Sequence, residues 1–342
     1  FLICLSCMGP APTADVVSYT ADAGAVWNNA SGAPTTQPQP GVWSGFPPHS
    51  TSCAGEACVL AVQATVSDPA AALVFLGLTV ERNWAELRGY EWRVQPSLLA
   101  LSVVAHLAVL AFGVFVWQRV LHRFATPPTR YPALLRIWSL SNVARYIPGT
   151  VWQFLAAAEL ARERGLPRVL LVSSLLVHMG FVLLAAGVVS VATLPLAALG
   201  LGRVPLAAAL GVLPLLLLLV HPRVLNTALS LVNRVARREA LRWQGSWMDG
   251  VALLALAVVS WLLYGGAFWL FLRSVAPFPP ATLLPAAGIN AASFAAGWLA
   301  VLAPSGLGVR EGAMTALLTP YVPLGVAAAI AILARLWAVL TE

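Results

Sequence analysis

The chain has 342 residues, 59% of them hydrophobic and only 10% charged, with a mean hydropathy of +0.82. Soluble domains carry about 25% charged residues, so the composition excludes an ordinary soluble enzyme or binding module and points to a polytopic membrane protein. The net charge of +7 is no nucleic-acid signature, because the basic residues are spread over short loops between apolar stretches. All twenty of them are Arg, which together with abundant Ala, Leu and Gly suggests a GC-rich bacterial genome.

Residues 1–68 contain no Arg, hold all four cysteines (Cys4, Cys7, Cys53, Cys58) and are rich in Pro, Thr, Ser and Gly. Such a segment buries too little apolar surface to offset the entropy of ordering it. It is expected to be disordered or non-native, a mis-called start, since apolar sequence begins abruptly near Pro69. Phe1–Cys7 has no basic region and is not expected to be a signal peptide. The two cysteine pairs stand too far apart, in too irregular a context, to argue for a metal. Residues 69–342 are then expected to form one transmembrane domain.

Pro69 to Val80 spans about 18 Å as a helix, short of a bilayer core, and reads as the back half of a first crossing. Full or near-full spans are expected at Ser97–His122, Arg168–Leu194, Val204–Val220, Asp249–Leu272, Ala281–Ala303 and Gly325–Leu340. The chain stops at Thr341–Glu342 without a polar tail, so a C-terminal piece is expected beyond it. Leu225 to Trp243 places apolar residues at helical spacing with Arg234, Arg237, Arg238 and Arg242 between them, as an interfacial helix or a plain positive-inside loop does.

Arginine counting orients these spans. Twelve arginines, among them Arg119, Arg123, Arg162, Arg168 and Arg223, fall on one side, and Arg82, Arg88, Arg93, Arg203 and Arg273 on the other. The richer side is expected to be cytoplasmic. Ile137 to Leu160 is apolar but flanked by rich-side arginines at both ends, so it must enter and return. By the same logic Ala281 to Thr319 dips in from the opposite face.

Both segments carry a Pro-Gly break beside an arginine: Arg145-Tyr-Ile-Pro-Gly149, continuing to Trp152-Gln153, and Pro304-Ser-Gly-Leu-Gly-Val-Arg310-Glu311. Proline removes a backbone donor and glycine frees the backbone. Unpaired peptide groups at membrane depth persist only where protein or a wet cavity surrounds them, and intramembrane arginines mark pathways or sites. The fold expected is all-α: a polytopic membrane helix bundle with two re-entrant broken-helix hairpins entering from opposite faces, as an inverted repeat gives. Two surface helix-loop-helix units are the plainer alternative.

With Arg82 to Val94, Ser141 to Gln153, and Ala303 to Gly312 in view, the chain resembles the lysylphosphatidylglycerol synthase transmembrane-region family over roughly residues 70–342. The resemblance implies a flippase-like bundle that moves an anionic or aminoacylated phospholipid, or a related lipid-linked amphiphile, between leaflets of the bacterial inner membrane. Carried over by motif, the lipid-binding residues are Arg145, Tyr146, Pro148, Gly149, Trp152 and Gln153, then Pro304, Gly306, Gly308, Arg310 and Glu311, and Arg335 in the terminal helix with Glu342 behind it. Ser305 and Thr150 depart from the common family pattern. The soluble aminoacyl-transferring domain of the full synthases is absent from this stretch.

Arginine suits a phosphate because it stays ionised and offers parallel hydrogen bonds. Glu311 is expected to hold Arg310 in place or to bind an amine, and Asn142, Gln153 and Asn290 to add neutral hydrogen bonds. The plainer readings are that Arg145 snorkels to the interface, that Arg310 and Glu311 form a structural pair, that Arg335 is a structural partner, and that His178 is hydrogen-bonded packing. Gly-x-Ser-x-Gly, His-Glu-x-x-His and P-loop motifs are absent, so no enzyme activity, catalytic residue, metal or cofactor is expected. The partners expected are the membrane and its lipid, with a lipid- or glycan-modifying enzyme or a second copy of the chain as protein partners, and no nucleic acid. The alternative function is a non-transporting anchor or regulatory partner of envelope lipid- or glycan-modifying enzymes.

Overall fold

The fold is taken from a computed structural model, which describes residues 2–8, 16–17, 27–28, 53–54, 57–63, 77–124, 129–144, 152–194, 217–236, 241–300 and 306–342, the first five ranges and 231–236 by their main chain. Two units divide the chain, residues 1–75 and 76–342. In the first, β1 (Leu2–Met8) pairs antiparallel with β5 (Ala57–Gln63), which also pairs with β4 (Cys53–Ala54), while β2 (Val16–Val17) pairs with β3 (Trp27–Asn28).

The second unit is helical throughout its described elements. Residues 77–82 form a turn of helix that leads through Asn83 into α1 (Trp84–Gly89). Then follow α2 (Pro96–Leu121), α3 (Tyr131–Val143), α4 (Trp152–Arg162), α5 (Arg168–Thr193), α6 (Pro222–Ala236), α7 (Trp247–Val275), α8 (Leu283–Leu299), α9 (Val309–Leu318) and α10 (Leu324–Thr341). Four of these, α2, α5, α7 and α10, are long and apolar enough to cross a membrane. They coincide with four of the expected spans. The expected span Val204–Val220 lies largely outside the described residues, as do most of Pro69–Val80 and the end of Ala281–Ala303.

Local chemistry explains where the helices start. Pro96 and Pro132 sit in the first turns of α2 and α3, where a missing N–H costs nothing. Ser246 caps α7: its Oγ accepts from the Asp249 amide at 3.2 Å, and its own amide donates to Asp249 Oδ2 at 2.7 Å. Asp249 also meets Arg123 Nη2 at 2.8 Å, so this acidic residue closes a helix end and neutralises an arginine together.

The long helices run in both directions. At one end of the bundle the amides of Arg93 and Gln95 donate to Val275 O and Ser274 O, and at the other the Gln244 amide donates to Arg123 O. So α2 and α7 run antiparallel. Trp117 Nε1 near the end of α2 donates to Ser174 Oγ near the start of α5 at 3.1 Å, which makes α5 antiparallel to α2 as well. The second end gathers the end of α2, the α4–α5 turn and residues 217–236 and 241–246. There Glu159 accepts from Arg162 at 2.7 Å and from Arg168, and these hydrogen bonds, Arg162's first, hold its carboxyl below the usual carboxylate range. Most of the described arginines lie at this end, and the arginine count thus sorted the loops as the helix directions do.

At the opposite, arginine-poor end lie α1, the start of α10 and the start of α8. The Gly325 amide donates to Glu86 Oε2 at 3.3 Å, and a Cβ on Gly288 would stand 2.5 Å from Thr193 Oγ1 at the end of α5. The interior is held by small-residue contacts as much as by large ones: a Cβ on Gly265 of α7 would lie 2.2 Å from the Ala287 Cβ of α8.

The amphipathic helix is shorter than its expected extent of Leu225 to Trp243. It is helical over Pro222–Ala236, and residues 241–246 are irregular. Asn226 fixes that return, its Oδ1 accepting from the Trp243 amide at 2.8 Å and its Nδ2 donating to Trp243 O at 3.2 Å.

Candidate functional site

The break between α8 and α9 is built on two glycines in the left-handed region, Gly306 (φ 65°) and Gly308 (φ 83°). At Gly306 there is a second reason for glycine: a Cβ there would stand 2.5 Å from the Gly297 carbonyl oxygen and 2.6 Å from its Cα. Backbone lies on backbone, which pins the break against α8. Gly297 in turn faces the Arg310 Cβ, 2.9 Å from where its own Cβ would be. The Gly308 amide donates to Glu311 Oε2 at 2.6 Å, so the first turn of α9 is closed by a carboxylate three residues along.

Arg310 is 9% exposed and Glu311 4%. Arg310 Nη2 donates to the Tyr264 hydroxyl of α7 at 3.3 Å, and its guanidinium stands 5.7 Å over the Phe294 ring of α8. Glu311 Oε1 lies 3.5 Å from Arg335 Nε of α10. Tyr264 stacks on His106 of α2 at 4.6 Å between ring centroids, and Trp337 of α10 packs on the same ring at 4.5 Å, 6.3 Å from Tyr264. His106 Nδ1 lies 2.6 Å from Thr341 Oγ1, and Glu342 acts electrostatically on Arg310. Helices α2, α7, α8, α9 and α10 thus converge on one buried cluster of charges and aromatic rings.

Sequence reading placed Gly306, Gly308, Arg310, Glu311 and Arg335 here, and the structure brings these residues together. Glu311 makes no described hydrogen bond to Arg310 and, like Glu342, acts on it through charge; its Oε2 accepts from the Gly308 amide, its Oε1 faces Arg335, and the described hydrogen bond of Arg310 goes to Tyr264. Arg335 stands beside Glu311, as in the plainer reading. Tyr264, His106, Trp337 and Phe294 were missed. The signal available was a histidine in the interior of the apolar span Ser97–His122 and a tyrosine inside Asp249–Leu272.

At the first break, Arg145, Tyr146, Pro148 and Gly149 lie outside the described residues, and so does Pro304 of the second. The flanks of the first are described. Gln153 Nε2, at the start of α4, donates to Asn142 Oδ1, at the end of α3, over 2.8 Å. Both side chains are buried, so this single bond ties the two helices across the break. It also places the neutral groups on each other. Trp152 is 45% exposed, so it stands on the outer surface of the bundle and not among these buried groups.

The α3–α4 pair therefore opens toward the arginine-rich end, since α3 follows α2 there and α4 leads into α5 there. The α8–α9 pair opens toward the arginine-poor end, where α8 begins and α10 departs. Helix α5 packs against α4 of the first pair and α8 of the second. On α5, His178 is 3% exposed and meets Trp138 of α3 edge-on at 5.9 Å; the hydrogen bond expected of it is missing at Nδ1, which has no partner. Asn290 Nδ2 of α8 also lacks one. Among the described residues no three His, Cys, Asp or Glu side chains gather as a metal site needs.

The family described as lysylphosphatidylglycerol synthase TM region matches residues 59–341. No curated protein and no solved structure matches the chain.

Proposed function

The chain belongs to the lysylphosphatidylglycerol synthase TM region family, and from that premise we propose that it moves an anionic or aminoacylated phospholipid, or a related lipid-linked amphiphile, between the leaflets of a bacterial inner membrane. The observation that carries this reading is Arg310, buried among apolar helices with a neutral hydroxyl as its hydrogen-bond partner. An arginine at the centre of a spanning helix costs about 2.5–3.5 kcal/mol on insertion scales. A fold retains such a charge where it has a use.

In this reading the lipid phosphate replaces water around Arg310, which binds it through two N–H donors. Tyr264 and Phe294 orient the guanidinium from two sides. The start of α9 adds the positive end of a short helix dipole. Glu311 Oε2 is held by its own helix, while Oε1 faces Arg335 at 3.5 Å and accepts no hydrogen bond among the described residues, so it can receive an amine-bearing headgroup beside the phosphate. The two helix pairs are re-entrant, dipping into the bilayer from opposite faces as halves of an inverted arrangement, and their breaks shorten the apolar barrier that a headgroup crosses. The reading assigns the chain transport and no reaction.

Reconstitution of the full chain into vesicles tests this. Phospholipids with a fluorescent acyl chain and a panel of headgroups are exposed to a membrane-impermeant quencher. Vesicles with protein are expected to lose the inner-leaflet signal for anionic or aminoacylated phosphatidylglycerol, and empty vesicles to retain it. If no headgroup in the panel moves, the transport reading is wrong, and the chain acts as an anchor or regulatory partner of lipid- or glycan-modifying enzymes.

A further inference from the structure

At the arginine-poor end, a cavity of about 200 Å³ opens among Arg93, Gln95, Arg273, Ala276, Pro277 and Phe278. This end holds few arginines, yet two of them meet at one cavity. Buried Ala276 and Phe278 line it together with two arginines and the Gln95 amide. Among the described residues no carboxylate lines it. Glu91 faces Arg93 at 3.8 Å across an open surface, the two side chains 85% and 62% exposed. Such a pair contributes little to holding Arg93.

Arg273 has an ordinary role to be weighed, because a cation in the last turn of a helix complements the dipole and satisfies terminal carbonyls. Here three of those carbonyls are already taken. Leu272 O accepts from the Ala276 amide, Ser274 O from the Gln95 amide and Val275 O from the Arg93 amide. The Arg273 guanidinium instead lies 4.8 Å over the Trp269 ring. Stacking fixes its plane and leaves its N–H edge for a ligand. The same two main-chain bonds that join the start of α2 to the end of α7 bring Arg93 and Arg273 to one cavity.

Depth points to the ligand. Trp92 directly precedes Arg93 and Trp269 stacks on Arg273, and tryptophans at span ends sit at headgroup level. A volume of about 200 Å³ equals roughly seven waters at about 30 Å³ each, room for a phosphodiester. We infer that Arg93 and Arg273, with Gln95, form a phosphate site for the headgroup of an anionic phospholipid in the leaflet at the arginine-poor end. The site requires a membrane and a lipid but no transport, so its failure and the failure of the transport reading are separate results.

The purified full chain in detergent, titrated with phosphatidylglycerol or phosphatidylcholine, is followed by native mass spectrometry for the number of lipids retained. The wild type is expected to hold one phosphatidylglycerol that the Arg93→Gln/Arg273→Gln variant binds about tenfold or more weakly, the scale of losing charge-assisted hydrogen bonds. Arg273→Lys is expected to fall between them, and Arg164→Gln, exposed at the other end, to match the wild type. Thermal midpoints without lipid report whether the variants are folded. Equal phosphatidylglycerol retention by the wild type and the folded double variant would overturn the site. So would equal retention of phosphatidylcholine. Inorganic phosphate is the third arm: if it raises the wild-type midpoint while phosphatidylglycerol does not bind, the cavity takes a free anion and the lipid assignment is wrong.

Discussion

Glu311 shows how much one buried side chain settles. One carboxylate oxygen closes the first turn of α9 on Gly308, and the other faces Arg335 on α10, so the break and the last helix are held by a single group. Removing one member of a buried ion pair costs about 3–5 kcal/mol, because the other charge stays behind. Glu311→Ala and Arg335→Ala are each expected to lower the unfolding midpoint in detergent strongly. The double variant is expected to be less destabilised than the sum, with a coupling of about 1–3 kcal/mol. Additive losses would show that the two charges do not act together. These residues were legible in the sequence because an ionisable group in an apolar stretch has few innocent explanations. Tyr264, His106 and Trp337 were not, since aromatic residues in a span look like packing. Their role depends on partners 46 residues away for Tyr264 and Arg310 and 235 for His106 and Thr341, distances that no local pattern encodes.

Individual helices were read from two signals of unequal strength. Apolar length found α2, α5, α7 and α10 within a few residues, because a bilayer demands it. Breaks were found from Pro and Gly. What sequence left open was which faces touch, and this depends on small residues. Gly265 and Gly266 are neighbours with the same chemistry, yet a Cβ on Gly265 meets Ala287 and one on Gly266 meets nothing within 4 Å. Gly265→Leu is expected to force α7 from α8, lowering the midpoint and detaching Tyr264 from Arg310, while Gly266→Leu is tolerated. Circular dichroism melts of the two variants check this, and equal midpoints would contradict the packing. The overlong amphipathic helix has a similar cause. Periodicity ran on past Ala236, but Asn226 clamps the Trp243 backbone and turns the chain back toward α7.

Across the whole molecule, the arginine count and the helix directions give the same two ends, and two broken helix pairs open toward opposite ones. The described residues place each pair against α5, with the second break gathering the charged cluster and the first pair joined by the neutral Asn142–Gln153 bond. The proposed path therefore centres on Arg310. The most direct measurement is the rate of phosphatidylglycerol flipping in proteoliposomes for the wild type, Arg310→Lys and Arg310→Ala, at matched protein content and with folding checked by midpoint. Loss of the bidentate donor is expected to slow flipping about tenfold or more in Arg310→Ala, with Arg310→Lys intermediate. Flipping by Arg310→Ala at the wild-type rate would contradict the assignment.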